Sequence, residues 1–255
     1  MSGVTMASTA ARAEPVNATM TRDVYELRTY HLVNGTMRIR LDAYLKDALI
    51  PAARRAGCGP VGVFTVSIGP GSPSVLVLLS HRSIADFLAL PDKLATDPTY
   101  ASDAEPFSNA TPEGPPYRAL DVKLMEAFPH FPHVEIPDAT RNNAARIFEL
   151  RTYFSHNNKA GTTKIGMFDT GGEIDIFRRT GLKPVFFAKD LTGARLPSLT
   201  YLLTFPDLAT RERNWGIFGK DPAWQRLIAT PGLTDPEITT GIDNMILSPA
   251  PYSQI

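Results

Sequence analysis

Two five-residue stretches hold the residue types best suited to chemistry. Glu26-Leu27-Arg28-Thr29-Tyr30 recurs, residue for residue, as Glu149-Leu150-Arg151-Thr152-Tyr153. An arginine in such a trio holds an anionic substrate group or an oxyanion, and the glutamate or tyrosine beside it moves a proton. Side chains alternate faces along an extended strand, so Glu26, Arg28 and Tyr30 share one face and Tyr25, Leu27 and Thr29 the other. Glu149, Arg151 and Tyr153 are disposed in the same way. A further stretch, Leu120 to Leu124, alternates Asp121 and Lys123 with apolar residues and adds two candidate ligand-binding groups. The same residues have a structural alternative. An enclosed ion-pair network persists because removing one partner strands a buried charge. Burial raises a glutamate pKa while a neighbouring arginine lowers it, so residue types alone leave the protonation state open.

Other chemistry-bearing residues are sparse. Cys58 is the single cysteine, so no intrachain disulfide forms. It reads as a reactive thiol or as a small apolar group after a helix-ending Gly57; no histidine lies near it in sequence, which favours the second. The histidines are His31, His81, His130, His133 and His156, none spaced as a metal-binding pair, so no metal site is expected. His31 and His156 each follow a first strand and read as polar turn residues or, less simply, as a haem ligand. Trp215 and Trp224 read as helix packing or as a pocket wall. There is no nucleophile elbow, phosphate loop or dinucleotide fingerprint.

The elements that position these residues come in two copies. Arg55-Ala56-Gly57 matches Arg179-Thr180-Gly181, Pro73-Ser74 matches Pro197-Ser198, and Asp97-Pro98-Thr99-Tyr100 matches Asp221-Pro222-Ala223-Trp224. One residue inserted before Gly181 keeps the whole register. In the first copy, strands are expected over 24–31, 61–68, 75–80 and 117–125. Met37, Leu41, Tyr44, Leu45, Ala48 and Ala52 predict an amphipathic helix, and Ser83 and Asp97 cap two more. In the second copy, strands are expected over 147–154, 184–190, 198–205 and 238–247, with helices near 163–180, 207–218 and 222–229. The organisation is then a flexible tail (1–22), repeat one (23–127), a proline-bearing linker (128–145) and repeat two (146–255). Each repeat reads as β-α-β-β-α-β.

The Glu-Leu-Arg-Thr-Tyr strand, the Arg-x-Gly helix end and the Asp-Pro-x-Tyr/Trp segment, each present twice, resemble the NIPSNAP family. The resemblance implies an α+β fold in which two ferredoxin-like units form a pseudo-dimeric α/β barrel, with sheets face to face and helices outside. Taking the helix-covered face as the more apolar, both Glu-Arg-Tyr trios, Asp121 and Lys123 are expected inside the barrel. The function implied is a small-molecule site between the sheets, of cofactor-free oxygenase or isomerase type; the alternative is a non-catalytic scaffold. No cofactor is expected, with haem the alternative that superfamily relatives suggest. Lysine plus arginine equals aspartate plus glutamate, which argues against a nucleic-acid partner. No apolar run approaches a membrane span, and no signal or transit segment stands out. A cytoplasmic protein is expected, either a monomer with an internal pseudo-dimer or a homodimer of tandem chains.

Overall fold

The computed structural model describes residues 21–255, so the expected tail lies almost wholly outside the described residues. The first copy supplies β1 (Val24–His31), β2 (Gly62–Ile68), β3 (Ser74–His81) and β4 (Ala119–Ala127). The second supplies β5 (Ile147–Phe154), β6 (Lys183–Asp190), β7 (Ser198–Phe205) and β8 (Gly241–Pro249). All eight strands close into one antiparallel barrel, in the order β1-β3-β2-β8-β5-β7-β6-β4. Each copy keeps its ferredoxin-like order, and two seams join them. At one, β4 pairs with β6, Met125 opposite Asp190; at the other, β2 pairs with β8, Val66 opposite Leu247. Closure leaves no sheet edge unpaired.

The helices cover the outside. In the first copy α1 (Met37–Ala43) runs through a π-helical segment (Tyr44–Leu49) into α2 (Ile50–Arg55). Pro51 explains the change of register: it has no N–H, and its ring crowds the carbonyl a turn earlier. Gly57, at φ +96°, ends this run in the left-handed conformation that glycine adopts without strain. Then come α3 (Ile84–Ala95), α4 (Pro98–Asp103) and α5 (Glu105–Ser108). Ser83 caps α3 by accepting from the Asp86 N–H, and Asp97 caps α4 by accepting from the Tyr100 N–H. After α6 (Asp138–Arg141), the second copy repeats the plan with α7 (Asn158–Asp169), α8 (Glu173–Arg179), α9 (Leu208–Gly219), α10 (Pro222–Ile228) and α11 (Asp235–Ile238).

The repeated landmarks have a shared job. Arg55 pairs with Asp97 at 2.7 Å, and Arg179 pairs with Asp221 at 2.6 Å. In each copy the arginine at a helix end is thereby tied to the aspartate that caps a later helix. Two expectations need correction. The helix expected over 163–180 is two helices, because Gly171-Gly172 breaks it and Gly172 sits at φ +89°. The last strand starts at Gly241 rather than 238, since Ile238 closes α11. The segment between the copies packs on the barrel: Phe128 and Phe131 are buried, and Glu135 N–H donates to Val185.

Both faces of the sheet are buried. Outside, Val75, Val77 and Leu79 pack under Leu41, Leu45, Leu90 and Leu94. Inside, Tyr25, Leu27, Phe64, Leu76, Leu78 and Met125 meet Phe148, Leu150, Phe186 and Leu202 of the other copy. This lumen core is what joins the repeats. Phe64 and Phe148 touch edge to face, with ring centroids 4.9 Å apart. Phe148→Ala should therefore cost about 3–5 kcal/mol of unfolding free energy in urea titration. A loss under about 1 kcal/mol would show that the lumen is not the cohesive core.

Candidate functional site

The two Glu-Arg-Tyr trios do not line the lumen, contrary to the sequence-based expectation. Glu26 lies opposite Leu79 and Arg28 opposite Val77, which places Glu26, Arg28 and Tyr30 on the helix-covered side. Glu149, Arg151 and Tyr153 are placed likewise, opposite Leu203, Tyr201 and Leu199. The expectation failed because apolarity does not separate the faces of a closed barrel: the lumen face is covered too, by the other sheet. Tyr25, Leu27, Phe148 and Leu150 are the more apolar set, and they point inward. On the outer side the carboxylates find their donors. Glu26 accepts from Arg28 at 2.6 Å and from His81 at 3.0 Å. Glu149 accepts from Arg151 at 3.1 Å, Arg211 at 2.5 Å, Trp215 Nε1 at 2.7 Å and Asn244 at 2.7 Å. Trp215 is thus both a packing residue and a donor to the carboxylate.

Burial alone would raise both carboxyls. For Glu26 the His81 hydrogen bond and the Arg28 charge outweigh it, and for Glu149 the Arg211 and Trp215 hydrogen bonds and the Arg151 charge do. Both are held below the ordinary glutamate value. Each carboxylate is thus held as an anion among several donors on the outer side of the sheet.

Asp121 and Lys123 face the lumen as expected, and so lie on the opposite face from the trios. Lys123 pairs with Leu27 in register and Asp121 with Thr29. They line a cavity of about 460 Å³ at one mouth of the barrel. Its walls are Leu27, Leu76, Leu150 and Met245; its polar end is formed around Lys123, Thr152 and Ser198. Behind these stands Asp190, which is 4 % exposed. Lys123 Nζ donates to Asp190 Oδ2 at 3.1 Å and to Thr200 Oγ1 at 3.2 Å. Ser198 and Thr200 also donate to Oδ2, at 2.6 and 3.1 Å. With its one proton used, Thr200 must accept from Thr152, 2.9 Å away. Every bond goes to Oδ2, and the buried Oδ1 has no partner. The rim is closed by two exposed pairs. Arg195 stacks over Phe154 at 3.8 Å and pairs with Asp243. His31, weighed as a haem ligand, is engaged by Asp121 at 2.8 Å and by Ser74 at 3.4 Å.

A profile of the NIPSNAP family matches residues 25–111 and 148–254, one match in each half of the barrel. The chain belongs to the NIPSNAP family. Solved structures agree with the tandem architecture. A Lactobacillus acidophilus protein, provisionally assigned as a monooxygenase, superposes with a TM-score of 0.60 at 6% identity, over 89% of this chain and 94% of that one. A Fusobacterium nucleatum protein with the same provisional assignment gives 0.51 at 6% identity, over 90% and 93%. A NIPSNAP-like domain protein from Burkholderia xenovorans is 24% identical over 41% of this chain and 85% of its own, with a TM-score of 0.36. No curated protein matches the sequence. These likenesses concern the fold. No helix among the described residues is long and apolar enough to cross a membrane.

The two NIPSNAP repeats carry different residues at equivalent lumen positions. Asp190 corresponds to Val66, Lys123 to Met245 and Thr200 to Leu76, as the matching seam registers require. Sequence reasoning missed Asp190, Thr152, Ser198 and Thr200. For Asp190 and Thr200 the signal was there, a charged or polar residue where the other copy has Val66 or Leu76; Thr152 and Ser198 gave none, since the other copy has Thr29 and Ser74.

The outer network gives a direct test. Glu149→Gln leaves the largely enclosed guanidinium of Arg151 without a counterion and Arg211 with only the exposed Glu212, and should cost about 3 kcal/mol at neutral pH. Because the folded state favours the carboxylate, this contribution is present above the ordinary glutamate pKa of 4.5 and is lost as pH falls through the lowered folded value. The gap between wild type and variant, read by urea unfolding, should therefore narrow below pH 4.5. A gap that widens in acid would contradict a lowered Glu149 pKa.

Proposed function

We propose that this NIPSNAP protein binds a small molecule in the barrel mouth. The ligand has an apolar body and a hydrogen-bond-donating head, of which a phenol is the simplest case. The observation that carries this is Asp190 Oδ1, a buried carboxylate oxygen without a donor. An unmet acceptor in a low-dielectric site costs free energy that an incoming hydroxyl recovers. Leu76 and Met245 offer apolar contact on one side of the cavity and Lys123 a charge on the other, so such a molecule has one favoured orientation.

The same pair suits proton transfer. Asp190 is joined to the cavity through Lys123 and Ser198, which line it; in this reading it takes the proton of a bound hydroxyl and the Lys123 ammonium stabilises the resulting oxyanion. That is the first step of cofactor-free oxygenation or isomerisation, the reaction class we infer for the site. A binding module that stops at recognition would share the pocket and lack turnover.

Exchanging the polar residues for those of the opposite seam tests the reading. In Lys123→Met/Asp190→Val/Thr200→Leu each residue becomes its counterpart in the other repeat, so the barrel should fold. Replacing a buried ion pair by apolar residues is often neutral or stabilising, here by about 1–4 kcal/mol. Binding of 2-naphthol, followed by its fluorescence, should weaken at least about tenfold, the worth of one or two hydrogen bonds. Equal binding to both proteins, or to neither, would sink the proposal.

A further inference from the structure

The first copy carries a second constellation, on the side of its sheet away from the lumen. Cys58 Sγ lies 3.7 Å from His81 Nδ1, and His81 Nε2 lies 3.0 Å from Glu26 Oε2. All three residues are less than a tenth exposed. Arg28 binds the other carboxylate oxygen and keeps Glu26 an anion. A carboxylate only accepts hydrogen bonds, so Nε2 must carry the imidazole proton. Nδ1 then turns its lone pair toward the thiol. The order is nucleophile, base and orienting carboxylate.

The fold does not need these groups. The second copy places Leu182 and Phe205 at the positions of Cys58 and His81, and both are buried in its apolar core. The polar pair is therefore an addition to one copy, and its cysteine borders a cavity. Cys58 lines a cavity of about 570 Å³ together with Arg54, Arg82, Ser80, Pro60 and His133. Asp23, at its edge, is already held by Ser80 and His133. The two guanidiniums give the cavity an anion-binding character.

Burial, with the Glu26 charge adding to it, pushes the thiol up to about 11, so thiolate is scarce near neutrality. Attack requires a base that takes the proton as the new bond forms, and Nδ1 is in place to do so. The backbone narrows the reaction type. Cys58 N–H donates to Ala53, Gly59 N–H donates to Ser80, and Pro60 has no N–H. None of these is free to hold a tetrahedral oxyanion, which disfavours acyl transfer.

We propose that Cys58, His81 and Glu26 form a relay through which Cys58 attacks a small carboxylate-bearing electrophile held by Arg54 and Arg82. Sulfur bonds to the electrophilic carbon, and the thiol proton moves to Nδ1. The leaving group departs with its bonding electrons as an anion. Glu26 stabilises the imidazolium that forms.

Iodoacetate and the neutral iodoacetamide serve as probes on the full-length chain. Cys58 is its single cysteine, so intact mass reads the modification directly. Native protein should be alkylated by iodoacetate, with iodide leaving, and His81→Phe should slow this roughly a hundredfold. That variant carries the residue the second copy already accommodates; if circular dichroism shows it unfolded, His81→Gln replaces it. Arg54→Gln/Arg82→Gln should slow iodoacetate severalfold and leave iodoacetamide unchanged. Equal alkylation of wild type and the His81 variant would overturn the relay. So would a native thiol that reacts only after unfolding in urea. An unchanged ratio between the probes in the arginine variant would overturn the anionic substrate class. None of these results depends on ligand binding in the lumen.

Discussion

The structure depends on one constraint: a sheet buried on both faces must find a cover for each. Helices cover the outer face of each four-stranded unit, but nothing within one unit covers the inner face. The second copy supplies that cover and, through the β4–β6 and β2–β8 seams, also pairs the edge strands. Hydrophobic burial and backbone hydrogen bonding are thus satisfied by the same closure. The contacts of Phe148, Leu150 and Phe186 with Tyr25, Leu27 and Leu78 follow from it.

Closure also explains where charge is tolerated. The outer side of the sheet faces helices, whose side chains can be chosen to pair with a carboxylate. Arg211 and Trp215 on α9 do this for Glu149, while His81 at the end of β3 does it for Glu26. The lumen offers fewer such partners, because it is bounded by the alternate residues of strands alone. Near one mouth Lys123 reaches both Asp190 and the cavity. A buried group left with an unused acceptor in such a place is costly, and it stands at one seam and not at the other.

Duplication makes the molecule its own control. Where the copies agree, the contacts recur: the Arg55–Asp97 and Arg179–Asp221 ties, and the Glu-Arg pairs on the first strand of each. Where they differ by polarity at buried positions, the fold plainly accepts either choice. Asp190 against Val66 and His81 against Phe205 are two such differences, and each bonds a residue that lines a cavity, Lys123 for the one and Cys58 for the other. Both candidate sites therefore include residues in which the copies diverge, and the second joins them to Glu26 of the shared motif.

The sequence by itself determined the tandem repeat, the order of elements and most strand limits, because periodicity and turn residues are local properties that each copy states independently. It also placed Asp121 and Lys123 on the face that lines the lumen. It could not decide the direction in which the Glu-Arg-Tyr faces point. Alternation gives two faces but no sign, and in a closed barrel both are covered. Nor could it bring Cys58 to His81, or Lys123 to Asp190, since these pairs meet only across strands distant in the chain. Tertiary structure settled those meetings through strand register, which fixes at once which side chains share a face and which carboxylates find a donor.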